Sequence, residues 1–489
     1  MVATKVIAIA VVAVIAVAGI GVGVYALTNN NDSKTSGTGT MELLDANVEG
    51  KLYVYGNVDG DMDIDADDKT ALQNALNEGK TSTLWKYADA DHSGAIDAAD
   101  VTKIQAILDA TVDSQVSVWH VQRYKDSSGA VKDYEGTSMY PIDKVMAVGA
   151  GNMLQFLKHI NVVSEIVGIN YSGKVDATLL SEYQYLFENE AKYRIGTTTP
   201  KVEKVAMQNV HASTGAATLI VGDDYTYVQG KAGDDKNLRE SDIEDLGIDV
   251  IRVAHTTTDM SKFVSDLALI QFFLCKSTNL VALQDWIKDT LTELNDKLNE
   301  NVGEGKKYSV VKFANSSYST YTKNSDGTIK TSDAISKDGS DYTAFGYAAG
   351  GAFALKGATS FASQGNGGSW LNDYEIDKIV VTATGNGYSW YGGTADEEGK
   401  GLEKVTERIM AYYLSEPFYN EEVYVLSGDM PVLMRIIYCA HIYYPQLFSK
   451  EWADNINKDY TSTYFGLNSK QIENGNYFFS MKDLNIEGH

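Results

Sequence analysis

The chain is predicted to be an α/β protein of two parallel-sheet lobes bridged by one long helix, preceded by a small all-α module and an N-terminal transmembrane helix. Three observations support this. From Lys144 onward, short β-branched runs bounded by Gly and Asp alternate with helical patterns. A leucine-rich stripe over Thr278–Asn301 divides those runs into two sets. Ahead of them lie an uncharged apolar run, a polar stretch and two acidic loops.

The apolar run is Val6–Leu27, preceded by Lys5. About 20 apolar residues span a bilayer, and a leading Lys favours an inside N-terminus. Val24-Tyr25-Ala26 offers a small-residue cleavage site, but the apolar core exceeds the length usual for a signal peptide. Residues 1–27 are therefore expected to be a retained anchor rather than a cleaved signal, with the bulk of the chain extracellular. With no Cys near Leu27, lipidation there is not expected. Residues 28–49, including the run Asn29–Thr40, read as a polar linker too poor in apolar side chains to pack.

The acidic loops run from Asn57 to Asp68 and from Asp89 to Asp100. Each places oxygen-bearing side chains at positions 1, 3, 5, 9 and 12 and an aliphatic residue at position 8. That spacing lets one loop surround a hard cation that takes six to eight oxygens, position 7 adding its backbone carbonyl. Two Ca²⁺ sites follow. The first uses Asn57, Asp59, Asp61, Asp63, Asp65 and Asp68; the second uses Asp89, Asp91, Ser93, Ala95, Asp97 and Asp100. Asp63 and Ala95 occupy position 7. Helical patterns follow each loop, over Lys69–Asn77 and Val101–Ala110, and no clear helix precedes either.

Loop then helix, twice, each loop closed by Asp, makes residues 50–111 resemble a dockerin, the calcium-dependent module of extracellular assemblies. Met62 departs from the Gly expected at position 6 of the first loop. Positions 10 and 11, where many dockerins use Ser-Thr to contact cohesin, are Ala66-Asp67 and Ala98-Ala99, so a cohesin-like partner is implied by the overall resemblance and not by these positions. Loops of this kind need the calcium concentrations found outside cells, which agrees with the anchor.

A net charge of −25 argues against nucleic acid and against adhesion to anionic lipid. Only two cysteines occur, Cys275 and Cys439, both in apolar helical contexts. They lie in segments assigned to different lobes and are expected to be buried free thiols.

The first lobe, residues 140–277, has strand patterns at Lys144–Val148, Ile166–Ile169, Thr218–Val221 and Val250–Val253, with a helix at Met153–His159. The second, residues 302–489, has strands at Ser309–Phe313, Ile379–Thr382 and Val423–Leu426. Strands alternating with helices indicate parallel sheets covered on both faces. Between the lobes, Leu280, Leu283, Ile287, Leu291, Leu294 and Leu298 fall on one helix stripe, with Ser277-Thr278 as N-cap and Gly303 and Gly305 as stops. A helix of about 24 residues spans about 36 Å.

Four pieces in order resemble the solute-binding proteins of ABC importers that serve iron–siderophore, haem and cobalamin uptake. They are Lys144–Gly151, Gly196–Ala206, Ala348–Gly351, and Pro431–Phe448 followed by Tyr460–Gly466. The resemblance covers residues 140–466 and implies an ABC permease as partner and a metal chelate or corrinoid as ligand. In such a fold the ligand sits between the lobes, at the C-terminal ends of the strands. The implied lining is Asn152, Tyr171, Thr198, Tyr225 and His255 from the first lobe and Tyr318, Tyr388 and Trp390 from the second. His255 and Tyr171 are candidate axial ligands to a haem or corrin metal. Arginines form no cluster in the sequence, which disfavours strongly anionic siderophores.

No catalytic role is expected. The chain has no G-x-S-x-G elbow, no H-E-x-x-H and no G-x-x-x-x-G-K-[ST] loop. The alternative to a transport receptor is a calcium-dependent cell-surface interaction or scaffold protein. The receptor predicts an aromatic cleft that can close; the scaffold predicts a filled one. In a third arrangement the calcium module packs permanently on its own chain.

Overall fold

The computed structural model describes residues 43–125, 131–170, 175–197, 201–223, 238–302, 311–323, 329–336, 338–357, 375–383, 422–473, 475 and 478–480. The expected anchor, Val6–Leu27, lies outside these. Among the described residues no helix is long and apolar enough to cross a membrane.

Helices α1 (Ala66–Glu78) and α2 (Ala98–Leu108) follow the acidic loops. Both begin three residues earlier than the apolar spacing indicates, because Asp65 and Asp97 cap them. Their carboxylates accept from the N–H groups of Asp67 at 2.6 Å and Ala99 at 2.7 Å, and each pairs in a reciprocal capping box with the residue closing its loop. A capping box satisfies donors that the first helical turn leaves orphaned. Leu72, Ile104 and Ile107 are buried.

The module is not all-α in its surroundings. A hairpin, β1 (Val116–Lys125) and β2 (Val131–Tyr140), follows it. Residues 53–55 pair along the other side of β1, through Tyr55 N–H to the Trp119 carbonyl and Val121 N–H to the Tyr53 carbonyl, both 2.9 Å.

The first lobe is a five-stranded parallel sheet, built from β3 (Val145–Ala147), β4 (Ile166–Asn170), β5 (Arg194–Gly196), β6 (Thr218–Gly222) and β7 (Asp249–Val253) in the order β5-β4-β3-β6-β7. Its helices are α3 (Ala150–Lys158), α4 (Gln184–Glu188), α5 (Glu190–Tyr193), α6 (Lys204–Thr214), α7 (Glu240–Glu244) and α8 (Met260–Phe273). The chain runs outward from β3 to β5, then returns to place β6 on the opposite side of β3. The carboxyl ends of β3 and β6 are therefore the switch point where doubly wound sheets open a crevice.

Helix α9 (Leu280–Val302) leads to the second lobe. Its N-cap is Asn279, whose Oδ1 accepts from Ala282 N–H at 3.0 Å. The expected cap, Thr278, instead donates to Gln271 Oε1. The predicted stripe, Leu280, Leu283, Ile287, Leu291, Leu294 and Leu298, is buried throughout; a fully buried leucine contributes about 1.5–3 kcal/mol.

The second lobe contains β8 (Lys312–Lys323), β9 (Ile329–Ile335), α10 (Asp341–Ala348), β10 (Ala352–Phe353), β11 (Lys378–Ala383), β12 (Val423–Ser427), α11 (Val432–Tyr443), α12 (Lys450–Phe465), α13 (Ser469–Glu473) and β13 (Phe478–Ser480). Its sheet is mixed, not purely parallel: β10-β8-β11-β12 is parallel, while β9 runs antiparallel to β8 and β13 antiparallel to β12.

One hydrophobic cluster runs unbroken from Val48, Leu52 and Leu72 through Val264 and Leu291 to Phe313 and Tyr444. The module is thus part of the α/β body. Even the end of the expected linker is packed: Val48 is 2% exposed, and the Leu44 carbonyl accepts from Asn295 Nδ2 on α9 at 2.8 Å. Cys439 is buried as expected, and burial pushes its thiol up to about 12. Cys275 is exposed, because the chain leaves α8 just before it. Both are free.

Candidate metal loops and the interlobe seam

The two acidic loops share one wiring. The carboxylate closing each loop folds back onto its backbone. Asp68 Oδ1 accepts from Val58 N–H at 2.6 Å and Oδ2 from Asp65 N–H at 2.8 Å. Asp100 does the same with Asp91 N–H at 3.1 Å and Asp97 N–H at 2.8 Å. As a result, carboxylate oxygens of Asp63, Asp65 and Asp68 lie within 4.8 Å of one another, as do those of Asp89, Asp91 and Asp100. Asp59, Asp61 and Asp97 stand outside these groupings. Ser93 and Ala95 lie together in the second loop, Ser93 Oγ at 3.3 Å from the Ala95 carbonyl. Asn57 is fully buried; its Oδ1 accepts from Gly60 N–H at 2.8 Å, and its Nδ2 donates to the Leu52 and Asp61 carbonyls, each at 2.9 Å.

The turns differ between loops. Both use left-handed backbone at position 4, Gly60 (φ 83°) and His92 (φ 59°); the second uses it again at position 6, Gly94 (φ 89°), where Met62 of the first does not. Burial, then like charge from Asp61, pushes Asp63 up to about 6. Burial pushes Asp68 up to about 7 against its three backbone hydrogen bonds. Burial also raises Asp100. An all-oxygen donor set of repelling carboxylates fits a hard divalent cation.

The second site is the seam between the lobes. Residues following β3, β7 and β12 meet there. Gln155 Nε2 on α3 donates to the Asp429 carbonyl at 2.7 Å. Arg435 Nη2 on α11 donates to Asn152 Oδ1 at 3.0 Å. His159 Nε2 lies 2.5 Å from the Tyr460 hydroxyl, and its Nδ1 lies 2.9 Å from the Gln155 carbonyl. With Nδ1 donating to that carbonyl, Nε2 is the acceptor for the tyrosine proton. Burial lowers His159 to about 4, so the ring is neutral.

A cavity of about 20 Å³ remains there, lined by Asn152, His159, His255, Phe263, Pro431 and Tyr460 among others. That is room for one water. Of the eight residues proposed as ligand lining, Asn152 and His255 do reach this seam. Asn152 is engaged in tying the lobes. Tyr171, Thr198, Tyr225, Tyr388 and Trp390 lie outside the described residues, and Tyr318 is placed only as a backbone position on β8.

Three structural relationships were not read from the sequence: the hairpin β1–β2, the Arg435 hub and a buried charge cluster beside the module. In the last, Lys262 Nζ lies 2.6 Å from Asp266 and 3.5 Å from Asp223. The hairpin had a signal, since Val116–Val121 is rich in β-branched and aromatic residues. In the other two, local pairs (Arg435 with the Met430 and Gly428 carbonyls, Lys262 with Asp266) are completed by the distant Asn152 and Asp223, and those distant contacts leave no local pattern.

No protein-family model matches the chain, and no curated protein sequence does. Solved structures similar to it include the TroA-like periplasmic binding protein FepB from Veillonella parvula, with 12% identity over 74% of this chain and 99% of that one, at a TM-score of 0.47. CeuE from Helicobacter pylori with Ni(II) bound shows 14% identity over 72% and 98%, at 0.42. The periplasmic heme-binding protein BhuT, in complex with two hemes, shows 11% over 62% and 98%, at 0.38.

Proposed function

We propose that this chain is a membrane-anchored, extracytoplasmic solute-binding receptor that hands a metal chelate or corrinoid to an ABC importer and carries two structural Ca²⁺ ions. The ligand class is a ferric siderophore, haem or cobalamin. The observation carrying the reading is the helical crossing. Among the described residues the chain passes from one α/β lobe to the other through α9, and the carboxyl ends of β3, β7 and β12 turn toward one seam. Loops at strand carboxyl ends are where open α/β sheets bind ligands. One stiff helix permits limited lobe motion, so affinity depends on a preorganised site.

No reaction is assigned; the receptor binds and presents. Tyr225 and Trp390 are the proposed aromatic anchors from the two lobes, and the second acidic loop together with the first holds calcium through its carboxylates. Cohesin-like docking through the module remains a secondary proposal.

The test is native mass spectrometry and visible absorbance of the ectodomain, followed by titration with haem, cobalamin and ferric siderophores. One of these is expected to bind, and Tyr225→Ala or Trp390→Ala is expected to weaken it by about 1–3 kcal/mol. Binding of none sinks the receptor reading. The second reading, a calcium-dependent surface-interaction protein, is favoured by one observation: the seam's described part is filled, with about 20 Å³ left.

A further inference from the structure

The second acidic loop packs against the hairpin β1–β2. The His92 ring stacks on Trp119 of β1, with centroids 4.2 Å and planes 17° apart, and meets Tyr55 edge-on at 4.5 Å. His92 Nε2 lies 3.5 Å from Glu135 Oε2 on β2. Glu135 Oε1 also accepts from the Tyr55 hydroxyl at 3.0 Å and lies 3.5 Å from Lys86 Nζ. The hairpin is thus held to the loop by a ring stack and a polar cluster.

Beyond the loop, β1 reaches β7, an edge strand of the first sheet. The buried Gln122 side chain donates from Nε2 to the Val250 carbonyl at 3.2 Å, and its Oε1 accepts from Arg252 N–H at 2.8 Å. One side-chain amide therefore does for this edge what a neighbouring strand would do, and a sheet edge without such partners is exposed to water or to foreign strands. The His120 ring also meets Phe273 of α8 edge-on at 5.1 Å.

We propose that calcium in the second loop holds the hairpin against β7, so that the edge of the first lobe is ordered only when the loop is loaded. This rests on reading the loops as calcium sites. The cause is electrostatic. Asp89, Asp91 and Asp100 hold carboxylate oxygens within 4.8 Å of one another, and without a cation their repulsion opens the loop. His92, in left-handed backbone at φ 59°, then loses the geometry that places its ring on Trp119. The hairpin loosens, and Gln122 leaves β7.

Hydrogen exchange of the full-length chain in detergent, with calcium or with EGTA, tests this. Calcium removal is expected to speed exchange in residues 116–125 and 249–253 by about tenfold or more, while residues 378–383 in the second lobe stay unchanged. His92→Gly keeps the left-handed backbone and removes the ring. It is expected to retain calcium uptake by calorimetry while residues 249–253 stop responding to calcium. Trp119→Ala provides a second break on the hairpin side. Calcium uptake with unaltered exchange at 249–253 overturns the coupling, as does a full response in both variants. Absence of any calcium uptake overturns the loop reading and the coupling with it.

Discussion

Arg435, on the second lobe, donates a hydrogen bond to Asn152 Oδ1, on the first, at 3.0 Å. The same guanidinium bonds the Met430 carbonyl at 2.6 Å and the Gly428 carbonyl at 2.7 Å. It therefore organises the turn after β12 and ties that turn to the start of α3. Asn152 stands at the switch point of the first sheet, so the position most suited to a ligand contact also meets the opposite lobe.

Arg435→Met keeps much of the buried volume and removes all three bonds. Carbonyls left buried without donors are costly, so a loss of about 2–3 kcal/mol is expected. Urea denaturation checks this: the midpoint falls while the slope stays constant if only the seam is affected.

Calcium is expected to matter most above about pH 7. Burial holds Asp68 up to about 7 in the ion-free loop. A carboxyl raised above its unfolded value contributes stability that is present at low pH and lost as pH rises through its folded value. The ion-free module is then weakest when Asp68 is ionised, which is also when the loop binds cations best. Calorimetry of calcium-free protein should show a larger gain in melting temperature on adding Ca²⁺ above pH 7 than one unit below. Asp100→Ala should remove the second loop's share of that gain.

Acid should weaken the chain by a separate route. Burial lowers both His120 and His159 to about 4. Each is neutral when folded and protonates readily only when unfolded, with an ordinary value near 6.5. Their stabilisation is complete above about 6.5 and is lost as pH falls toward 4. Each contributes a few kcal/mol at most over that window. In saturating calcium, the melting temperature of wild type should drop through it, and His159→Gln should drop less steeply from a lower starting point.

What the sequence revealed tracks what leaves a local pattern. Six leucine and isoleucine positions marked α9, because burial on one helix face imposes a three-and-four spacing that tertiary context cannot hide. The acidic loops were legible because the same oxygen-bearing positions recur in both, and the structure brings carboxylates of each loop together. The starts of α1 and α2 were not, since Ala66-Asp67-Asp68 and Ala98-Ala99-Asp100 carry capping chemistry instead of apolar periodicity. The mixed second sheet depends on β9 beside β8 and the short strand β13 beside β12, antiparallel pairings that were not read from the sequence. At the seam, Asn152 and His255 were found through strand order. Arg435 was missed because the partner that makes it a link between lobes, Asn152, is distant in sequence.

Gly50→Ala tests whether the module is welded to the lobe or only tethered to it. A side chain at Gly50 would lie 2.5 Å from Val264 Cγ1 on α8 and 2.8 Å from Met62 Sδ in the first loop. Its N–H also donates to Gln284 Oε1 on α9 at 2.6 Å. Three parts of the chain converge on a position with no room for one methyl group, and overpacking of this kind costs about 1–3 kcal/mol. Gly79→Ala is the control. Nothing lies within 4 Å of its added Cβ, so it incurs only the left-handed backbone penalty of about 1–2 kcal/mol, confined to the end of α1. Because the module and both lobes share one core, Gly50→Ala should lower a single cooperative transition measured by near-UV circular dichroism. A variant that leaves the α/β transition in place and shifts only an early, calcium-sensitive step would show that the module unfolds on its own.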